Sequence, residues 1–339
     1  MKELYIIVND KIYEKHNNYF CENKDIQSTI NYLSFKHNLI VISRFSAFIK
    51  PFRLSKAVKI LNLRFLKFLK FFLFLFSYSR KKKILIISIT PFNFMIFFIF
   101  KIFFICKFYL YLRSNGYEEY ESILGKKYIW IYDFMFKYMT ASSEVISCHK
   151  RLYNKTRHII YPSELNFRWK KKLKKNHYKN NTINILYVGR FKIEKGIYSL
   201  MNIFSKLPIN IKLTIVGNGD NIKIHDDRIR LINFVKNEKQ LINIYDSANI
   251  FILPSYTEAH PKVIDESLSR MRPVIIFNDI KYIIKDRYGV FSVKRNYQEL
   301  IKIINYLKIN NQLVFNELKK NKLPQKKDFL KNLNKIINE

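Results

Sequence analysis

The chain has 339 residues, a hydrophobic share of 48% and a formal net charge of +35 at pH 7. This length suits one large or two medium domains, and the hydrophobic share excludes an intrinsically disordered chain. The charge favours contact with nucleic acid, an anionic membrane surface or phosphorylated substrates, although lysines scattered along the whole chain also fit an ordinary solvated surface. Cys21, Cys106 and Cys148 show neither metal-ligand spacing nor a disulfide framework, which favours a reducing compartment.

Short apolar runs predict a parallel sheet in the first half of the chain. We expect strands at 4–8, 39–43, 84–88 and 107–113, with a helix near 26–36. Strands separated by helical lengths indicate a doubly wound α/β sheet. The opening run MKELYIIVND is too short for a signal peptide, so we expect a cytoplasmic protein.

Two apolar stretches raise the question of membrane contact. Residues 84–100 are uncharged, but a strand, a turn at Thr90 and Pro91 and a buried helix explain them better than a membrane span. Residues 56–76 place basic residues within roughly 140° of one helix face and Leu and Phe elsewhere. The pattern fits either a basic amphipathic helix at an anionic membrane surface or a domain helix with one solvated face.

Arg113 and Gly116 follow the fourth predicted strand. Open α/β sheets bind ligands at the carboxyl ends of their strands, so both residues are candidates for substrate contact, with Gly116 at a turn. An ion pair of Arg113 with Glu118 or Glu119 is the structural alternative.

The basic, Asn-rich and aperiodic segment 166–181 predicts an interdomain linker. It separates a first domain, 1–165, from a second, 182–311. Sparse aromatic residues give it little support as a nucleic-acid-binding arm.

Alternating strands and helices predict a second doubly wound domain. The predicted strands are 183–188, 212–217, 229–235, 248–253, 272–277 and 289–293.

Two glycine loops follow the first two of these strands. GRFKIEKG places Arg190 and Lys195 between Gly189 and Gly196, and two fixed cations beside a helix N-terminus suit a diphosphate. The turn at Gly217 lets the backbone approach a ligand closely, although a tight turn without a ligand is the alternative.

The stretch Pro254–Pro273 carries two glutamates, Glu258 and Glu266, with seven residues between them. Pro261 suits the first turn of a helix, which places Glu258 in the preceding loop and Glu266 in the second turn. A buried strand, a loop with a carboxylate and a helix N-terminus together favour a ligand site.

The series GRFKIEKG, VGNGD and YDSANIFILPSYTEAHPKVIDESLSRMRPVI resembles the C-terminal domain of family 4 retaining glycosyltransferases, which are GT-B enzymes of glycosyltransferase group 1. RSNGYEEY and SSEVIS resemble bacterial members. The resemblance implies two doubly wound, Rossmann-like domains facing across a cleft, the first binding the acceptor and the second a nucleotide-sugar. It also implies that the tail, 312–339, crosses back to the first domain, with Gln325–Asn338 as the crossing helix.

The resemblance also implies roles for individual residues. Arg190 and Lys195 would neutralise the donor diphosphate, Glu258 would hold sugar hydroxyls, and Glu266 would bind the ribose. The remaining donor-site residues would be Gly189, Gly217, Val235, His260, Pro261 and Lys262.

The chain contains no Asp-x-Asp triplet, so we expect metal-independent catalysis without a cofactor beyond the nucleotide-sugar. The acceptor would be a glycan or lipid-linked precursor of a cell-surface polysaccharide or lipopolysaccharide, reached at the inner face of the membrane. A glycosidase carboxylate pair is disfavoured because Arg190 and Lys195 indicate a phosphorylated donor. Two alternatives to a glycosyltransferase remain: an inactive GT-B scaffold and a basic nucleic-acid-binding protein. The second alternative leaves both glutamates unexplained.

Overall fold

The computed structural model describes residues 3–63, 81–174, 182–219 and 224–339. The chain divides into two compact units. The first is Met1–Ser163 together with Lys326–Glu339, and the second is Glu164–Gln325.

Among the described residues, nine strands form the sheet of the first unit. They are β1 (Glu3–Lys15), β2 (Asn18–Cys21), β3 (Asn38–Phe45), β4 (Phe52–Arg53), β5 (Lys59–Leu63), β6 (Lys81–Ile87), β7 (Ile105–Leu112), β8 (Glu144–Ser147) and β9 (His158–Ile159). The described helices of this unit are Lys24–Ser34, Pro91–Phe103, Gly116–Leu124, Ile129–Ala141 and Lys326–Asn338.

Seven of these strands are parallel neighbours in the order β5-β3-β1-β6-β7-β8-β9. The central ones are buried on both faces, so they appear in the sequence as continuous apolar runs. Ile84, Leu85 and Ile86 in β6 are each 0% exposed. The far end of β1 instead pairs antiparallel with β2, and β2 pairs with β4.

The stretch 84–100 is a strand followed by a helix, as the sequence favours. Thr90 caps the helix Pro91–Phe103 because its hydroxyl oxygen accepts the backbone N–H of Asn93 at 3.2 Å. Pro91 begins the helix, where the missing N–H costs nothing. Within the part of the chain that the structure describes, no helix combines the length and the apolarity needed to cross a membrane.

The second unit contains six strands within the described ranges. They are β10 (Ile183–Val188), β11 (Ile211–Gly217), β12 (Ile229–Asn233), β13 (Ile250–Leu253), β14 (Val274–Phe277) and β15 (Val290–Val293). The described helices of this unit are Ile197–Phe204, Glu238–Ser247, Lys262–Ser269, Tyr297–Ile309 and Asn311–Leu318.

All six strands are parallel, in the order β12-β11-β10-β13-β14-β15. The chain therefore builds outward from β10 to one edge, then returns beside β10 and builds to the other. The strand order reverses between β10 and β13, and ligands of open α/β sheets bind beyond the carboxyl ends of the strands at this switch point. The loops that follow β10 and β13 are therefore the first place to look for a site.

The predicted linker, 166–181, is wrong over its first part. Trp169 is 2% exposed and packs in the core of the second unit. The buried Arg270 donates to the carbonyl oxygens of Trp169 at 2.8 Å and Lys171 at 2.9 Å, and it forms an ion pair with Asp246. The division between the units lies at Ser163 and Glu164 instead. Residues 175–181 lie outside the described residues.

The predicted end of the second domain at 311 is also too early. The helix Asn311–Leu318 buries Val314 and Leu318 in the core of the second unit. The last helix, Lys326–Asn338, groups with the first unit. In that unit, Lys83 donates to the carbonyl oxygen of Ile337 at 2.6 Å and Tyr109 donates to the same oxygen at 3.0 Å.

The helix predicted over 56–76 is wrong where the structure describes it. Lys59–Leu63 is strand β5, which pairs in parallel with β3. The lysine spacing imitates a helix, but KILNL also supplies the branched apolar residues that an added strand needs. Residues 64–76 lie outside the described residues.

Candidate functional site

The two glycine loops predicted separately are joined in the structure. The backbone N–H of Phe191, after β10, donates to the carbonyl oxygen of Asn218, after β11, at 2.8 Å. Phe191 also forms a parallel bridge with Gly219. A β-carbon at Gly217 would overlap the carbonyl oxygen of Gly189, so glycine is required at Gly217 for this close approach.

The same loop contacts the loop that follows β13. Gly196 adopts a left-handed conformation with φ of 68°, and a β-carbon there would overlap the carbonyl oxygen of Pro254. The backbone N–H of Tyr256 donates to the carbonyl oxygen of Glu194 at 3.0 Å. The loops at the carboxyl ends of β10 and β13 therefore meet at the switch point of the sheet.

Lys195 and Glu258 form an ion pair at this junction. The Lys195 ammonium lies 2.7 Å from Oε1 of Glu258, and the side chains are 19% and 11% exposed. The hydroxyl of Ser255 donates to the same carboxylate oxygen at 2.8 Å. Tyr282 fixes the backbone of Glu258, since its hydroxyl accepts the Glu258 N–H at 3.1 Å and donates to the Glu258 carbonyl oxygen at 2.6 Å.

Arg190 adds a second cation to the same loop. Its side chain is exposed and, among the described residues, its guanidinium forms no hydrogen bond or ion pair. Its backbone is fixed, because the hydroxyl of Tyr187 donates to the Arg190 carbonyl oxygen at 2.8 Å. Burial, followed by the charge of Glu258, raises the pKa of Tyr187, which keeps this hydroxyl protonated as a donor.

Arg295, after β15, holds the loop on the other side. Its guanidinium donates to the carbonyl oxygens of Pro254 at 2.9 Å and Ser255 at 3.3 Å. It also stacks 4.0 Å from the ring centroid of Tyr256 and forms an ion pair with Asp279 at 2.8 Å. These contacts fix the chain just before Glu258.

Glu266 lies in the second turn of the helix Lys262–Ser269, as predicted. The hydroxyl of Tyr245 donates to its Oε2 at 2.9 Å. Burial, followed by the charge of Glu266, raises the pKa of Tyr245, so this hydroxyl stays a donor. The carboxylate is thereby held in one orientation on a rigid helix.

His260 belongs to a buried ion cluster beneath the helix start. Its Nε2 lies 2.9 Å from Oδ2 of Asp265, and Nε of Arg287 lies 2.8 Å from Oδ1 of the same carboxylate. Burial lowers the pKa of His260 despite the neighbouring carboxylate. Burial also opposes ionisation of Asp265, but His260 and Arg287 outweigh it and lower the pKa of that carboxyl. The cluster holds the turn that leads into the helix.

The remaining donor-site candidates lie at the start of the helix Lys262–Ser269 and after β12. Pro261 is the residue immediately before the helix, which begins at Lys262 rather than at the proline. Val235 follows β12 and packs partly buried against the core of the second unit.

The acceptor candidates lie in the first unit and have structural partners. Arg113 forms an ion pair with the buried Asp25. Gly116 is not in a turn but begins the helix Gly116–Leu124, and a β-carbon there would overlap the ring of Tyr132.

One cluster among the described residues has the composition of a metal site. Oxygen and nitrogen atoms of Glu144, His158 and Glu339 in the first unit lie within 4.8 Å of one another. The Lys107 ammonium lies 3.2 Å from Oε2 of Glu144, and Nε2 of His158 lies 2.8 Å from Oε1 of the same carboxylate. The negative charge that would attract a cation is thus offset by a lysine.

The sequence did not predict three residues that hold Glu258 and its loop: Ser255, Tyr282 and Arg295. Tyr282 follows β14 and Arg295 follows β15, so both lie beyond the carboxyl ends of strands that the sequence predicts. A search for polar residues shortly after each predicted strand would have identified Tyr282 and Arg295 as site candidates.

Two parallel α/β units of this kind make the chain a GT-B protein. A sucrose-phosphate synthase from Thermosynechococcus elongatus has a similar fold, with a TM-score of 0.75 and 14% identity over 100% of this chain and 98% of that one. HepE of Anabaena, in complex with UDP and glucose, gives a TM-score of 0.68 and 12% identity over 100% of both chains.

Residues 168–323, which include the whole site, match the model of the family glycosyl transferases group 1. A putative teichuronic acid biosynthesis glycosyltransferase of Bacillus subtilis is 32% identical over 116 residues, which are 34% of this chain and 28% of that protein. The chain spans between 28% and 49% of the length of the curated relatives it matches.

Proposed function

We propose that the protein is a retaining glycosyltransferase of family 4 that transfers a sugar from a nucleoside-diphosphate donor. The observation that carries the proposal is the Lys195–Glu258 ion pair at the switch point, in a loop whose second cation, Arg190, is exposed and has no ion-pair partner within the described ranges. The motif resemblance supports the family and the retention of anomeric configuration. The UDP and glucose bound by HepE support the donor class.

The charges suit the electrostatics of this reaction. Breaking the bond between the sugar and the diphosphate builds negative charge on the leaving group and positive charge on the sugar. In this proposal, Arg190 and Lys195 stabilise the leaving diphosphate, and Glu258 binds the sugar and orients Lys195. These cations support a reaction in which no metal ion is needed for leaving-group stabilisation.

The donor occupies the second unit in this proposal. Glu266, oriented by Tyr245, binds the ribose, and the backbone at His260, Pro261 and Lys262 contacts sugar or phosphate near the helix N-terminus. Gly189 and Gly217 allow close approach of the diphosphate, and Val235 flanks the base.

The acceptor in this proposal is a glycan or lipid-linked precursor of a cell-surface polysaccharide, held by the first unit. The Bacillus relative, whose printed name refers to teichuronic acid biosynthesis, supports this class. We further propose that the enzyme binds peripherally to the cytoplasmic face of a membrane, which the net charge of +35 supports.

A thermal-shift panel tests the donor site. We expect a UDP-, GDP- or ADP-sugar to raise Tm without added metal, and EDTA to leave the shift unchanged. Stabilisation by RNA or DNA with no response to any nucleotide-sugar would instead support a nucleic-acid-binding protein. A Glu266→Ala variant should reduce the nucleotide shift, since a binding loss of tenfold corresponds to about 1.4 kcal/mol.

A further inference from the structure

The helix Pro91–Phe103 is apolar on its outer surface as well as on its inner one. Its inner side chains Phe97 and Phe100 are 0% exposed and fill the core of the first unit. Its outer positions include Met95, Phe98 and Ile102, which are 41%, 43% and 57% exposed. Their spacing of three and four residues places them in one stripe along the helix.

The helix Ile129–Ala141 repeats this arrangement. Met135 and Met139 are buried, whereas Trp130 and Phe134 are 68% and 57% exposed and lie one turn apart. Soluble proteins normally place polar residues at such positions, so an outward aromatic stripe needs a separate explanation.

The two stripes form one surface. The ring of Phe134 lies 5.8 Å from that of Phe94, and the ring of Phe98 lies 6.1 Å from that of Tyr138. We define the aromatic face by the exposed side chains of the two helices: Met95, Phe98, Ile102, Trp130 and Phe134.

The charges around the aromatic face are basic. Lys101 lies on the first helix, with its ammonium 4.2 Å from the ring centroid of Tyr138. Lys126 and Lys127 precede the second helix, and Lys126 lies 3.6 Å from Glu121. The first helix carries no acidic residue. Asp133, the acidic residue of the second, forms an ion pair with Lys137 at 2.7 Å.

We propose that the aromatic face inserts into the interface of an anionic bilayer, with these lysines at the headgroups. Exposed Trp, Phe and Ile beside lysines suit the boundary between headgroups and acyl chains. The anionic leaflet supplies countercharge for lysines at the edge of this face, such as Lys101 and Lys127. This inference rests on the membrane association proposed above, but not on glycosyl transfer. It assigns the membrane contact to the helices Pro91–Phe103 and Ile129–Ala141 rather than to residues 56–76.

Vesicle cosedimentation tests the assignment. The full chain is mixed with vesicles of phosphatidylcholine alone or with 30 mol% phosphatidylglycerol, in about 0.1 M salt. We expect binding to the anionic vesicles, and at least about a 30-fold weaker partition for the Phe98→Ser/Trp130→Ser/Phe134→Ser variant, because three apolar side chains no longer insert. A matched control replaces three exposed aliphatic residues of the second unit, Ile209, Ile309 and Leu313, with serine and should bind as the wild type does.

Tryptophan fluorescence gives an independent measurement. The chain has two tryptophans, and Trp169 is 2% exposed in the core of the second unit. Anionic vesicles should therefore shift the Trp130 emission to the blue, and brominated lipids should quench it. The Trp130→Phe variant should lose both signals while it still binds.

Several outcomes would overturn the assignment. Equal binding by the triple-serine variant and the wild type would place the contact elsewhere, and failure of the wild type to bind would reject the membrane association itself. A wild-type dimer that the same substitutions convert to a monomer, without lipid binding, would make the face a protein contact. If the triple variant does not fold, the Lys101→Glu/Lys127→Glu variant replaces it, and unchanged lipid binding would count against the proposal. The nucleotide-sugar thermal shift of the same samples reports separately on the donor site.

Discussion

The carboxyl ends of the parallel strands differ between the two units. In the second unit, Lys195 pairs with Glu258, whereas the exposed Arg190 side chain has no hydrogen bond or ion pair among the described residues. In the first unit, Arg113 at the end of β7 is matched by the buried Asp25. At similar positions after parallel strands, one arginine is therefore exposed to solvent and the other forms an ion pair with a buried carboxylate.

The difference shows which charged residues are available to a ligand. An arginine whose charge is matched by a buried carboxylate stabilises the fold, and a ligand that takes it away leaves a buried charge behind. The Arg190 side chain has no buried carboxylate partner among the described residues, and its backbone carbonyl oxygen accepts the Tyr187 hydroxyl. Proximity to a strand end is thus an insufficient criterion for a ligand site. The partners of the side chain determine whether its charge is available to a ligand.

Removing Arg190 should produce the largest functional effect. We expect Arg190→Ala to lower kcat/KM by about 10²–10³-fold, since loss of one group that stabilises a developing anion costs about 2.7–4 kcal/mol. Stability should hardly change, because the side chain has no described partner. Steady-state transfer with the donor found in the thermal-shift panel measures the first effect, and urea unfolding measures the second.

Arg230→Ala is the matched control for Arg190→Ala. Arg230 is an exposed arginine on the edge strand β12 of the same unit. Its removal takes away the same formal charge at another place in the unit, so kcat/KM should stay near the wild-type value. Equal losses in the two variants would show that only net charge matters and would reject the proposed role of Arg190.

Removing Arg113 should produce the opposite profile. Arg113→Ala leaves Asp25 buried without its guanidinium partner, and we expect the free energy of unfolding to fall by about 1–3 kcal/mol. The nucleotide-sugar thermal shift, measured as the difference between bound and free protein, should be unchanged because the donor site belongs to the second unit.

The Arg113→Ala/Asp25→Asn double variant separates the ion pair from other effects. It removes the unmatched charge, so part of the lost stability should return. If Arg113→Ala instead unfolds like the wild type but fails in transfer, the arginine contacts the acceptor, and the contrast between the two units fails.

Much of the second unit is predictable from the sequence. The central strands β13 and β14 are short apolar runs, and burial at every position leaves them no polar alternation to obscure the pattern. Glycines between charged residues mark the loops, and the spacing of Glu258 and Glu266 places one before a helix and one within it. These features depend on local sequence alone.

The wrong predictions concern segments whose structure depends on contacts with residues far away in the sequence. Trp169 looks like part of a basic linker until Arg270, 101 residues away, binds its carbonyl oxygen. The lysine period of 56–63 fits a helix, but the open edge of β3 turns Lys59–Leu63 into a strand. Tyr282 and Arg295 fix Glu258 and the loop before it from neighbouring strand ends. Their place after a predicted strand marks them as candidates, but the atoms they contact depend on the fold.

The buried cluster under the helix start should make stability depend weakly on pH. Burial lowers the pKa of His260 in the folded protein, so the unfolded chain binds the proton more readily. Stability is therefore complete above the unfolded histidine pKa of about 6.5 and falls as the pH drops below it. The pKa of Asp265 is also lowered, which adds a second loss only as the pH falls below about 3.9.

Urea unfolding at pH 7.5 and pH 5.5 measures this smallest of the predicted effects. The midpoint should fall between the two values in the wild type, and the fall should be smaller in His260→Gln, which cannot take up the proton. His225→Gln removes an exposed histidine of the same unit and should retain the wild-type dependence. If the midpoint of His260→Gln falls as far as that of the wild type, the titrating group lies elsewhere. The second unit would then owe its pH response to something other than the cluster that holds its ligand-binding turn.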